Sequence, residues 1–378
     1  MKNFISFVRE IYRSNDFIPL HPPIFKGNEK KYLNETIDST FVSSVGPFVG
    51  KFEEESSKFL NVKGTVAIVN GTSALQLSLL LSGVKPNDEV LTQSLSFVAT
   101  ANAIKYLGAE PVFIDVDLDS MGLSPKSLEN FLDEFAEIRD NKCFNKKTGN
   151  KISACVPMHT FGILCRINEI SKICKKWRIP LVEDAAEAFG SRLGNRYAGS
   201  FGMINAFSFN GNKIITAGGG GLIACDSKEL ALKAKHISTT AKKNHPWEYY
   251  HDTLGYNFRM PNVNAAIVLG QFEYLAKIIE SKKVLYDNYY NFFVSDSIEF
   301  ITPLNRSGWN HWLFSVSLNS RKERDEFLKI TNKNGVMTRP IWNLLFKLPM
   351  YSDCLRDDQK NSLFLEERIV NIPSGARI

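Results

Sequence analysis

From about Thr65 the chain alternates short apolar runs with longer stretches in which apolar residues return every three or four positions. The short runs Thr65–Val69, Glu89–Thr92, Glu110–Asp115, Ile152–Met158 and Pro180–Asp184 predict strands. Between them Ala74–Leu81, Val98–Leu107, Pro125–Ile138 and Asn168–Trp177 predict helices, so the plan is a repeated βαβ unit with a mostly parallel sheet. A further apolar run, Leu222–Cys225, follows four consecutive glycines at 218–221. A long helical pattern from about Val263 to Phe293 then leads to a strand at Trp312–Leu318, a helix at Lys322–Lys333 and the segment Val336–Trp342. The expected fold is α/β, with residues 1–262 as a large domain carrying an N-terminal arm and 263–378 as a smaller α+β domain. No internal repeat or low-complexity segment interrupts this plan.

Composition narrows the class. With 378 residues, 44% hydrophobic and 23% charged, the chain has the make-up of a folded globular protein and enough length for two domains. A net charge of +6 is scattered instead of gathered into a stripe, which argues for a solvated surface and against a nucleic-acid partner. No apolar run approaches the ~20 residues of a membrane helix, and Lys2, Arg9, Glu10 and Arg13 charge the N-terminal stretch. The six cysteines have no metal-type spacing, so they are expected to be reduced thiols of a cytoplasmic protein.

Three segments carry candidate chemistry. At Asn70-Gly71-Thr72-Ser73 a strand turns into a helix, bringing backbone N–H groups, two hydroxyls and the positive helix end to one point, where a phosphate could be held. The same wording also suits an ordinary turn with a helix cap. In Val182-Glu183-Asp184-Ala185-Ala186-Glu187 acidic groups follow an apolar strand, at the edge where parallel sheets present ligands. Asp184 there could pair with a protonated ring nitrogen, or simply cap a helix or bind an arginine. In Phe209-Asn210-Gly211-Asn212-Lys213-Ile214-Ile215, before the four glycines, Lys213 can be partly desolvated, which favours the neutral amine that attacks an aldehyde.

Read together, Ser208 through Gly221, His245-Pro246-Trp247-Glu248 and Met337-Thr338-Arg339-Pro340-Ile341-Trp342 resemble the DegT/DnrJ/EryC1/StrS family of sugar-nucleotide aminotransferases. Their wording is similar to its LegC-like branch, which serves legionaminic acid and bacillosamine pathways. Ile18-Pro19-Leu20-His21, Phe25 to Glu29 and Val42 to Gly46 extend the likeness to the N-terminus. The resemblance implies a fold-type-I enzyme using pyridoxal 5'-phosphate, with Lys213 as its Schiff-base lysine and Asp184 on the pyridine nitrogen. It also implies that Gly71, Thr72, Ser73 and Ser208 surround the cofactor phosphate and that Phe97 stacks on the ring. Glu187 stands where many members have a glutamine near the phenolic oxygen, so here the reach is kept and the group changed. Asn257, in Gly255-Tyr256-Asn257-Phe258-Arg259-Met260, is implied to reach the partner's cofactor phosphate in a homodimer.

For the reaction, the resemblance implies L-glutamate as donor, pyridoxamine 5'-phosphate as the intermediate carrier, and a keto-sugar nucleotide as acceptor. The LegC-like wording favours UDP-4-keto-6-deoxy-N-acetylglucosamine aminated at C4. GDP-4-keto-6-deoxymannose and 3-keto dTDP sugars are the alternatives. His245, Trp247 and Arg339 are candidates for substrate recognition, Arg339 because its fork of donors suits a diphosphate. His159 follows an apolar strand but is expected to be structural, because the released Lys213 amine already supplies the mobile base. A dehydrating variant without the lysine is disfavoured by Lys213. A nucleotide-binding module is disfavoured because no GxxxxGK[ST] loop occurs.

Overall fold

The apolar runs become neighbouring segments of one sheet. A computed structural model describes residues 2–294, 298–303 and 308–377. In spatial order the sheet holds Gly64–Ile68, Gly221–Cys225, Ile204–Ser208, the segment 181–184, Ile152–Val156, Glu89–Gln93 and Glu110–Ile114. Residues 181–184 join through single parallel bridges, Leu181 to Cys155 and Asp184 to both Met158 and Ala206. Gly221–Cys225 runs antiparallel to both neighbours, and every other adjacent pair is parallel.

Ile152–Val156 and Gly221–Cys225 are buried at every position, the mark of a sheet covered on both faces. Alternate residues serve opposite layers. Phe207 and Leu222 join the apolar cluster of Phe52, Phe189 and Leu269, whereas Ala206 and Ile223 join that of Leu75, Leu79 and Ile104. The long helix Asn262–Phe293 and the helix Pro47–Leu60 cover the first face, and Gly71–Ser82 and Lys228–Ser238 cover the second. No helix among the described residues is long and apolar enough to cross a membrane.

One predicted helix ends early. Pro125–Phe135 is helical, but Ala136–Arg139 pairs antiparallel with Lys142–Asn145. Asp140 and Asn141 form the turn with φ of 47° and 64°, the left-handed backbone of a tight hairpin, and this favours a strand where apolar periodicity suggested more helix. Past the long helix, Glu299–Phe300, Phe314–Ser317, Ile369–Ile372 and Arg339–Pro340 form an antiparallel sheet with the helix Arg321–Lys333. The N-terminal helix Lys2–Tyr12 packs onto these C-terminal elements. Phe4 meets Phe327 at 5.2 Å between ring centres, Phe7 stacks on Phe292 at 4.1 Å, and Ile18 bridges Val336.

Candidate active site

The carboxyl ends of the parallel segments gather the chemistry-bearing residues at one edge of the sheet, where such sheets present their ligands. Gly71 follows Gly64–Ile68, His159 follows Ile152–Val156, Asp184 ends its own segment, and Ser208 ends Ile204–Ser208. Lys213 lies on the connection between Ile204–Ser208 and Gly221–Cys225. That connection is held closed by Phe209 N–H to Gly220 O (2.8 Å) and Ala217 N–H to Phe209 O (2.9 Å). From the long helix, Asn264 Nδ2 donates to Ala217 O and Gly219 O at 2.8 and 3.0 Å. At Gly221 a Cβ would lie 2.5 Å from Asn70 O, so only glycine lets the lysine loop approach the turn before Gly71–Ser82 this closely.

The Lys213 side chain is 12% exposed, and its Nζ is 3.2 Å from Glu187 Oε1 and 4.4 Å from the Trp312 ring centre. Glu187 Oε2 accepts the backbone N–H of Phe161 at 2.9 Å. Burial raises the Glu187 carboxyl above its ordinary pKa, with Lys213 pulling the other way. Asp184 is buried too, and Oδ2 accepts from Thr100 Oγ1 at 2.7 Å while Oδ1 accepts from Ala186 N–H at 3.2 Å. Burial raises its pKa, and the Thr100 hydrogen bond opposes the rise. No arginine binds Asp184 among the described residues.

At the head of Gly71–Ser82 the cap is Asn70, whose Oδ1 accepts Ser73 N–H at 2.8 Å. The hydroxyls of Thr72 and Ser73 are therefore released from capping, and neither has a hydrogen-bond partner among the described residues. Ser208 closes the same corner, since a Cβ on Gly71 would come 2.7 Å from Ser208 Cβ. Phe97, just before Ala99–Lys105 and three residues from Thr100, is 51% exposed. A large aromatic side chain is thus left largely uncovered one helical turn from Thr100, the residue that binds Asp184.

A family model described as the DegT/DnrJ/EryC1/StrS aminotransferase family matches residues 23–378. The chain belongs to that family. It is 34% identical over 364 residues to the GDP-perosamine synthase of Escherichia coli O157:H7, covering 95% of this chain and 93% of the relative. The GDP-perosamine synthase of Vibrio cholerae is 33% identical over 339 residues, with 88% and 87% covered. Among solved structures, the aminotransferase TlmJ from Streptoalloteichus hindustanus superposes with a TM-score of 0.85 at 26% identity, covering 95% of this chain and 93% of that one. The fold is accordingly that of the fold-type-I pyridoxal-phosphate enzymes, and the protein is a pyridoxal-phosphate-dependent sugar aminotransferase of the DegT family, taking a nucleotide sugar and an amino donor.

The residues present fit the cofactor of the DegT family. A cradle that a Cβ would fill, two hydroxyls free of other tasks, an uncovered aromatic face, a buried carboxylate and a nearly buried lysine share one strand edge. Other expected site residues lie elsewhere. His245 and Trp247 sit on an exposed excursion, with Thr239 bridged to Asn257 and Lys242 to His251 across it. His245 Nδ1 accepts Glu248 N–H at 2.9 Å, and its ring meets Trp247 edge-on. Asn257 is exposed, its Oδ1 accepting from Arg259 Nε at 3.1 Å, and Arg339 is exposed on its short strand. None of these four touches Lys213 within the chain.

His159 is fully buried and hydrogen-bonded away from Lys213. Its Nε2 lies 2.9 Å from Glu183 Oε2, and its Nδ1 accepts Cys165 N–H at 3.4 Å. Glu183 in turn receives the backbone N–H groups of Gly199, Phe201 and Gly202.

Sequence reasoning missed a clamp from the C-terminal part. Trp309 Nε1 donates to Phe161 O at 3.0 Å, Asn310 Nδ2 to Glu187 O at 2.9 Å, and Trp312 Nε1 to Asn212 O at 2.8 Å. The only local signal was two tryptophans and an asparagine opening a predicted strand.

Proposed function

We propose that Lys213 carries the cofactor and that the enzyme moves an amino group from L-glutamate to C4 of a nucleotide-linked 4-keto-6-deoxy hexose. The observation that carries this reading is the Lys213 amine held 3.2 Å from Glu187, beside the buried Asp184, at the carboxyl edge of the sheet. Pyridoxal phosphate, when bound, supplies an aldehyde carbon and a ring that takes up the electron pair left as a substrate C–H bond breaks. Asp184, fixed by Thr100 and the Ala186 N–H, is suited to hold a proton on the ring nitrogen. Gly71, Thr72, Ser73 and Ser208 would bind the phosphate, and Phe97 would lie on the ring face. Lys213 Nζ, when not bonded to the cofactor, would be the base that takes the proton from the α-carbon of the amino donor. The Trp312 ring excludes water from one side of that amine.

Two acceptors are supported by different observations. The wording around Lys213, His245 and Arg339 supports a UDP-4-keto-6-deoxy-N-acetylhexosamine, giving a UDP-4-amino-4,6-dideoxy sugar for surface glycan or nonulosonic acid synthesis. The names of the Escherichia coli and Vibrio cholerae relatives support a GDP-linked acceptor at least as well. Asn257, His245 and Trp247 are assigned to the partner's site in a homodimer, where an exposed excursion can reach across, and Arg339 to the substrate's diphosphate. The division at 262/263 places Lys213, Asp184 and the phosphate cradle in one domain and the Trp309–Trp312 clamp in the other, in a cytoplasmic enzyme.

The test is amino transfer from L-glutamate to UDP-, GDP- and dTDP-linked keto sugars by the purified holoenzyme, with Lys213→Ala as control. Turnover of the UDP-4-keto sugar alone selects the first acceptor, and turnover of the GDP-4-keto sugar alone selects the second. Turnover that survives Lys213→Ala would remove Lys213 from its role.

A further inference from the structure

Glu187 puts a titratable group where a glutamine would be neutral, and the fold fixes it from three sides. Its backbone oxygen accepts from Asn310 Nδ2 at 2.9 Å, and Oε2 accepts Phe161 N–H at 2.9 Å. Oε1 is thereby left facing Lys213 Nζ at 3.2 Å. Phe161 presents its N–H from a left-handed backbone with φ 55° and ψ 24°, a conformation a bulky residue adopts only when its surroundings enforce it. Here the side chain is fully buried against Trp312 and Trp342, and Trp309 binds the Phe161 carbonyl. The charged groups acting on Glu187 are Lys213, from the loop after Ile204–Ser208, and Asp184 on its own segment. From the turn after Ile152–Val156 the ionisable side chain is His159, committed to Glu183. The C-terminal clamp contributes the neutral Asn310, two indoles and His311, which stacks on Trp309. His21 meets the edge of the Trp312 ring and is held well below its ordinary pKa by burial, with the Lys282 and Lys213 charges pushing the same way.

We infer that Glu187 Oε1 takes a proton from Lys213 Nζ when that amine bonds to the cofactor's aldehyde carbon, and returns it when the bond is released. The inference rests on the assignment of Lys213 as the cofactor lysine. The step balances without any redox partner. The ammonium gives one proton to the Glu187 carboxylate, the neutral nitrogen forms a double bond to the aldehyde carbon, and the aldehyde oxygen leaves as water with the other two. The pair is neutral overall before and after, so no uncompensated charge is left in a site that water barely reaches. Burial raises the Glu187 carboxyl above its ordinary range, which brings its protonated form within reach.

The experiment mixes the cofactor-free protein with pyridoxal phosphate, traps the covalent link with borohydride at timed intervals, and measures the modified Lys213 peptide by mass spectrometry from about pH 6 to about pH 9. Glu187→Gln, nearly the same shape, is expected to link about tenfold or more slowly than the wild type at neutral pH and to catch up as pH rises and solvent removes the proton. Glu187→Ala is expected to recover with added formate and not with formamide. A carboxylate that served only as counter-ion would give the opposite sign, because its removal lets the ammonium lose its proton more readily and leaves more of the neutral amine to react. Glu187→Gln linking as fast as wild type or faster at neutral pH, or Glu187→Ala recovering equally with formamide, would overturn the inference. Wild-type protein that is trapped at no lysine, or at another one, would instead overturn the assignment of Lys213.

Discussion

Trp312 donates its indole N–H to the backbone oxygen of Asn212 at 2.8 Å while the same ring lies 4.4 Å from Nζ of the next residue, Lys213. One side chain therefore fixes both the loop and the amine it carries. Trp312→Phe keeps a ring over Nζ but removes the donor. We expect a loss of about 1 kcal/mol in stability and a kcat about tenfold lower, because a loosely held amine spends less time in reacting geometry. Denaturant titration and steady-state kinetics check the two effects, and a variant with unchanged kcat would assign the indole N–H to stability alone.

Asp184 sets stability against chemistry. Its carboxyl is raised by burial in the folded state, so the protein keeps a relative advantage below the ordinary aspartate pKa and loses it as pH rises through the raised value. Asp184→Asn removes that cost. The cofactor-free variant should melt above the wild type at neutral pH, and the two Tm values should converge near about pH 4. Amino transfer should fall at least about 100-fold. A melting difference that persists in acid would show that ionisation is not its source.

Gly71→Ala tests the phosphate cradle. A Cβ there would stand 2.7 Å from Ser208 Cβ, so the helix start and the strand end must move apart. Overpacking of this kind costs about 1–3 kcal/mol. Spread over the phosphate contacts, it should weaken cofactor binding about tenfold or more, read from the absorbance of bound cofactor. Unchanged affinity would place the phosphate elsewhere.

The placements legible in the sequence are those decided locally. Gly71 comes shortly after a predicted strand and Asp184 ends another, so strand prediction brings these two to one edge, whereas Ile204–Ser208, which ends at Ser208 and leads to Lys213, is not among the predicted strands. Leu181 and Asp184 make only single bridges, yet their apolar run still marked the segment as part of the sheet. What failed was decided at a distance or by backbone strain. Asn310 reaches Glu187 across 123 residues, and Trp312 reaches Asn212 across 100, with no periodicity to announce either. The hairpin at 136–145 depends on left-handed Asp140 and Asn141, a turn that apolar spacing does not encode. Lys2–Tyr12 and its packing on the C-terminal helix Arg321–Lys333 were likewise invisible, since an isolated amphipathic helix does not name its partner.

Asn257 and Lys213 can be separated genetically. If Asn257 serves the partner's site, mixing Lys213→Ala and Asn257→Ala subunits creates heterodimers in which one of two sites has both residues. Activity should return to about a quarter of wild type when subunits exchange freely. Mixtures no more active than their components would confine Asn257 to its own subunit.

The antiparallel strand Gly221–Cys225 also governs when the protein can fold. Gly64–Ile68 finds its continuous ladder partner there, with Ile68 opposite Gly221 and Gly64 opposite Cys225, and Ile68 makes a further bridge to the still later Arg259. An early strand must therefore wait for about 150 further residues to be synthesised before its hydrogen bonds can form. Until then its unpaired edge and apolar side chains are open to mispairing, and the turn that leads to Gly71 has no fixed position. Maturation of the phosphate corner is thus expected late in synthesis, and competence to bind cofactor should emerge only once Trp312, which holds the lysine loop, has cleared the exit tunnel.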